Sequence, residues 1–236
     1  MIRSLRVGRT AAAAALLLGP LLLLATTAVG PLNTGGTFAE MLRVYDAERT
    51  AIQVADLLAF AGALAMIAAV LAAARAVRRR APAFALWGAC LSVAGWASLI
   101  GLLGYDQAMV DVSRDPAIRE QLARSLDNGE AWALPAIFAV FLVGTVAGGA
   151  VLGTALLRTR VVPVWAGAAV AVALVVNVVG HLVEVKAIAL AAFVLLAAGF
   201  AALAVRVART PVAAWVDGDV APVTGERPGA PVVVGG

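Results

Sequence analysis

Six long apolar runs, parted by short polar connections, set the pattern of this chain. They cover roughly 10–30, 51–74, 82–104, 132–157, 161–183 and 187–208. A helix rises 1.5 Å per residue, so about 20 residues cross a hydrocarbon layer of about 30 Å. Each run therefore predicts a membrane-spanning helix. Together they predict an all-α polytopic membrane protein, a six-transmembrane-helix bundle over residues 1–209. Beyond it, residues 210–236 are rich in Pro, Gly and Val and have no helical period. That stretch predicts a disordered tail.

The connections differ in charge. With the N-terminus inside, the inner segments hold eleven arginines up to Arg209, with Arg227 further along, and the outer segments six basic residues. The excess of basic residues on one side predicts that both termini are cytoplasmic. Ten acidic residues fall in the outer loops and three in the tail, and Asp56 lies within a span. The first run also admits a signal-peptide reading, with Met1–Arg9 as the basic region and Ala25–Ala28 as a weak cleavage site. We take it as an uncleaved span, kinked at Pro20. Trp87, Trp165, Trp132 and Trp215 sit at run ends, where amphipathic rings settle at the headgroup level.

Two outer connections predict short helices. Thr37 and Glu40 have the spacing of a capping box, leading into the second span. Asp115-Pro116 offers a capping carboxylate before a first-turn proline, and Gly129 can end that helix. Ile118, Leu122 and Leu126 recur every four residues, which predicts a helix lying on the membrane surface or over the outer bundle mouth. The alternative is a solvated connector.

Composition narrows the class. Hydrophobic residues make up 63% of the 236-residue chain and charged residues 14%, too apolar a balance for a soluble domain to cover. The net charge of +4 does not point to nucleic acid, because the arginines sit at run ends rather than in one stripe. Arginine outnumbers lysine 17 to 1 and alanine abounds, as GC-rich codons produce, which predicts a bacterial source and the plasma membrane. The one cysteine, Cys90, excludes an intrachain disulfide, and one histidine excludes bis-histidine haem ligation. No cofactor is expected.

Polar side chains inside spans are costly and mark candidate chemistry. With the second span centred near Ala63, Asp56 lies about 10 Å from the midplane, and Gln53 is one turn outward. Tyr105 and Asp106 close the third span at the same level. Asn177, His181 and Glu184 follow i, i+4, i+7 spacing and share one face of the fifth. These residues suggest a polar outer vestibule in which Asp56 and His181 pair, relay a proton or hold a cation. The plainer alternative has Asp56 paired with Arg49 and His181 and Glu184 as interface residues. A metal site is a third option, with nothing in the spacing to show convergence. In the fourth span, Gly144, Gly148, Gly149 and Gly153 form overlapping small-xxx-small patterns, which predict close packing on another helix, within the chain or in a second copy.

The connection Arg158-Thr-Arg-Val-Val-Pro163-Val-Trp165-Ala-Gly167 resembles the basic, Val-Pro-x-Trp lead into the fifth span of uncharacterised six-span bacterial integral membrane proteins, of the domain-of-unknown-function type. The resemblance implies six spans and carries no functional residues with it. No nucleophile elbow, HExxH, P-loop or dinucleotide fingerprint is present.

Three functions follow, in order of expectation. The first is a multi-pass membrane protein handling a small solute or proton through the outer polar cluster. The second is a non-catalytic structural or regulatory component, binding a membrane-protein partner or forming a homo-oligomer. An intramembrane enzyme comes last. The lipid bilayer is the partner common to all.

Overall fold

The computed structural model describes residues 2–32, 37–127 and 132–223. Among them are nine helices and no strand: α1 (Ile2–Val29), α2 (Phe38–Ala47), α3 (Arg49–Val77), α4 (Pro82–Val112), α5 (Pro116–Asp127), α6 (Ala133–Thr159), α7 (Val164–Leu182), α8 (Lys186–Arg209) and α9 (Val212–Asp217). Six of them (α1, α3, α4, α6, α7 and α8) are long and apolar enough to cross a membrane. They form an antiparallel ring: α1 packs on α3, α3 on α4, α4 on α6, α6 on α7, α7 on α8, and α8 returns to α1. The ring suits a multi-pass membrane protein, since its outer wall shows Leu57, Leu64, Leu71, Leu86, Val143 and Val194.

Local chemistry explains the breaks between helices. The turn from α3 to α4 is a run of three arginines followed by Ala81, which Pro82 forces out of helical geometry (φ −141°, ψ 63°). Pro82 then starts α4, where its missing N–H costs nothing. The α7–α8 turn is a Schellman stop: Val185 N–H donates to the Gly180 carbonyl (2.9 Å) and Glu184 N–H to that of His181 (3.2 Å). Glu184 holds the left-handed position (φ 56°) that glycine usually takes. Thr37 and Glu40 form the expected capping box, with N–H to side-chain oxygen distances of 3.0 and 3.3 Å.

The interior of the ring is one continuous apolar core, with Met66, Trp96, Leu152, Leu156, Leu196 and Phe200 among its largest members. Buried Thr145 and Thr159 return their hydroxyls to carbonyls one turn back (2.7 and 2.8 Å) and add no polar path through it. The four glycines of α6 are used inside the chain. Gly144 and Gly148 face α4, where a Cβ would come within 2.7 Å of Gly95 N and 2.6 Å of Ser92 N. Gly149 faces Leu174 and Gly153 faces Ala171, both on α7. The stripe brings α6 against two neighbours within the same chain.

Several expectations are corrected. Helix α4 continues eight residues past 104, because Leu103, Met109 and Val110 stay buried on it. The tail from Thr210 is ordered as far as Val223, where disorder was expected from its composition. It forms α9 and lies across the basic end of the ring. Arginine side chains hold its carbonyls: Arg75 on Trp215 and Val216 (3.0 and 2.7 Å), Arg9 on Thr210 (2.6 Å) and Arg206 on Ala221 (2.6 Å). Trp215, expected at the membrane interface, is buried beneath the Arg75 guanidinium at 5.3 Å. Residues 224–236, and Gly129 as a helix stop, lie outside the described residues.

Candidate functional site

The acidic end of the ring is roofed by α2 and α5. Leu42 and Tyr45 of α2 pack with Ile52 of α3 and with Met109 and Val110 of α4, a second apolar cluster separate from the main core. This cluster fixes α2 across the ends of α3 and α4. Helix α5 rests chiefly against α2, capped by Asp115, whose carboxylate accepts from Ala117 N–H at 2.9 Å. Ile118 is exposed, and the side chains of Leu122 and Leu126 lie outside those described.

Beneath this roof is a cavity of about 200 Å³. Asp56 of α3, Asp106 of α4, Tyr45 of α2 and His181 of α7 reach its wall, together with Thr26 and Gly30 at the end of α1. Each carboxylate takes a hydrogen bond from a neutral donor. Gln107 Nε2 donates to Asp56 Oδ2 at 2.6 Å, and the Tyr45 hydroxyl donates to Asp106 Oδ1 at 2.7 Å. Burial, and then the adjacent Asp106 carboxylate, hold the Tyr45 phenol above its ordinary pKa, so Tyr45 stays a donor throughout the physiological range.

The nearby cations are engaged elsewhere. Arg49 donates to the Val110 carbonyl and approaches Asp111 at 3.9 Å, so it does not pair with Asp56 as one sequence reading had it. Lys186 donates to the Ala28 and Gly30 carbonyls (3.0 and 2.8 Å), tying the start of α8 to the end of α1. His181 Nδ1 lies 2.9 Å from the Asn177 carbonyl. A carbonyl only accepts, so Nδ1 carries the proton of this hydrogen bond.

Of the seven polar residues singled out from the sequence, the cavity gathers Asp56, Asp106 and His181. Gln53 is exposed on α3 and does not line it. Tyr105 and Asn177 sit half-buried away from its wall, the Tyr105 hydroxyl and the Asn177 amide nitrogen each without a hydrogen-bond partner among the described residues. Glu184 is exposed in the α7–α8 turn and does not line the cavity. Sequence reading missed Tyr45 and Gln107. Tyr45 could have been found from its i, i+3 spacing with Leu42, and Gln107 from the continuing helix after residue 104.

Thr26 and Thr27 spend their hydroxyls on their own helix (3.0 Å each, to Leu22 and Leu23). Among the described residues no group of three or more His, Cys, Asp or Glu side chains is arranged to hold a metal ion. The arrangement can hold a small positive group between two carboxylates, with a phenol and an imidazole as further hydrogen-bonding partners. The chain matches no protein-family model, no curated protein and no solved structure.

Proposed function

We propose that this is a multi-pass protein of a bacterial plasma membrane that binds a small cationic solute, or a proton, in its acidic-end cavity. Both termini and the arginine-rich end lie in the cytoplasm on this reading, and the cavity opens outward. The supporting observation is that Asp56 and Asp106, from different helices, reach one cavity with only neutral hydrogen-bond donors upon them among the described residues. Carboxylates left without a cationic partner give the cavity a negative potential that favours a positive guest. The apolar core below supports a binding or sensing role rather than conduction through the ring.

Thermal unfolding of the detergent-solubilised protein with alkylammonium and guanidinium ions tests this. At least one ion should raise the midpoint, and Asp56→Asn or Asp106→Asn should remove the rise. The proposal fails if no ion shifts the wild type, or if both variants respond as it does.

A second reading is a non-catalytic component that binds a membrane-protein partner. It is supported by α5, an amphipathic helix held chiefly by α2 and showing Ile118 outward. Co-purification of a defined membrane protein that is lost on Ile118→Glu would favour it. The kinship with uncharacterised six-span bacterial proteins likewise stands as a proposal, carried by the Arg158–Gly167 connection between α6 and α7. Neither reading requires an enzyme or a cofactor.

A further inference from the structure

A larger groove, of about 710 Å³, lies at the opposite, basic end. It opens on the outer wall of α3, between α1 and α4, and the C-terminal strap forms its floor. Small residues make the room: Ala11 on α1, Ala68 and Ala72 on α3 and Ala85 on α4. Leu71 and Leu86, both more than half exposed, form its flanks. The walls are therefore those of a slot for hydrocarbon.

Its polar end is different. Arg75 and Arg78 line it one helical turn apart, above Trp215 and Val216 of the strap. The strap neutralises neither arginine. Arg75 meets backbone carbonyls at Trp215 and Val216, and Arg78 meets that of Val216 at 3.1 Å. These partners orient the guanidinium groups and leave the charges in place. Arg75 Nη1 and Arg78 Nη1 have no hydrogen bond among the described residues, so donors remain for a further acceptor. The strap's Asp219 is drawn away to Arg79 and Arg80 (3.8 and 3.1 Å).

From Leu71 to Arg78 the helix rises about 10 Å, so hydrocarbon and charge meet at the depth where an acyl chain joins its phosphate. An apolar slot ending in two oriented guanidinium groups matches a molecule with a greasy tail and an anionic head. We propose that this groove is a binding site for an anionic phospholipid. One acyl chain lies along Ala68, Leu71 and Leu86, and the phosphate sits on Arg75 and Arg78. The strap is part of the site, because its carbonyls aim the arginines and Trp215 closes the floor.

The proposal assumes that the six helices cross a bilayer, which has its own check: a chain outside the membrane would purify without detergent. Lipid binding is read on the delipidated full-length chain by native mass spectrometry, titrating phosphatidylglycerol, phosphatidylcholine and inorganic phosphate. Phosphatidylglycerol should bind tightest, and inorganic phosphate should not displace it at equal concentration. Arg78→Gln removes one charge while Arg75 keeps the strap in place. Ala68→Phe fills the slot from an exposed position and leaves both arginines intact. Each should weaken phosphatidylglycerol at least about tenfold. Arg114→Gln, at the far end of the ring, should bind as the wild type does. Equal binding of phosphatidylcholine, equal competition by phosphate, or wild-type affinity in Ala68→Phe would overturn the assignment.

Discussion

Adjacent glycines on α6 should respond unequally to the same methyl group. A Cβ at Gly148 would sit 2.6 Å from Ser92 N and 2.9 Å from Ser92 Cα, against an ordinary closest approach of about 3.4 Å. Those atoms are backbone, so α4 and α6 must part by roughly 0.8 Å along the most extensively packed helix pair in the ring. At Gly149 the nearest atom is Leu174 Cδ1 at 3.2 Å, the free end of a side chain that can turn aside. Overpacking a well-filled contact costs about 1–3 kcal/mol, whereas replacing glycine by alanine within a helix returns up to about 1 kcal/mol. Gly148→Ala should thus lose about 1–2 kcal/mol and Gly149→Ala should lie within about 0.5 kcal/mol of wild type. Equilibrium unfolding in mixed detergent micelles measures both. Equal losses, or a greater loss at Gly149, would refute the assignment of the two glycines to a backbone contact and a yielding one.

Other expectations follow from single contacts. Tyr45→Phe removes the 2.7 Å bond to Asp106 and should loosen the α2 roof by about 1–3 kcal/mol, seen as faster amide exchange in α2 with the spans unchanged. Because the folded Tyr45 phenol is held above its ordinary value of about 10, its contribution to stability is complete below that pH and declines as pH rises beyond it. A phenolate absorbance titration of Tyr105→Phe should accordingly show Tyr45 ionising only with unfolding, and a normal titration in the folded protein would contradict the burial. Arg75→Gln should release the strap, exposing residues 210–223 to protease, since two charge-assisted bonds worth about 1.5–3 kcal/mol each are lost.

The six membrane-length helices, the capping box at Thr37 and the cap at Asp115 were all legible in the residues. Apolar run length and capping geometry act over a few turns, and such local physics leaves its mark directly in the order of residues. The candidate site was legible only in part. Asp56 and His181 stood out because a polar side chain within an apolar run is conspicuous wherever it packs. Their partners did not: whether Asp56 meets Arg49 or Gln107 depends on how α3 and α4 are rotated, and Arg49 proved to be taken by Val110 and Asp111. Ring closure, the use of α6 glycines on two different neighbours, and the burial of Trp215 were likewise decided in three dimensions. The C-terminal strap shows this most plainly. Its residues are rich in Pro, Gly and Val with no helical period, so composition alone points to disorder. They fold because three spans and the α3–α4 turn bring Arg9, Arg75, Arg206 and Arg80 to one end of the ring, where those side chains satisfy the strap's carbonyls while Trp215 and Val220 join the core. Sequence determined the six membrane-length helices and where the charges lie; tertiary structure decided which of those charges meet and that the strap folds, because both depend on helix rotation and on contacts between residues far apart in the chain.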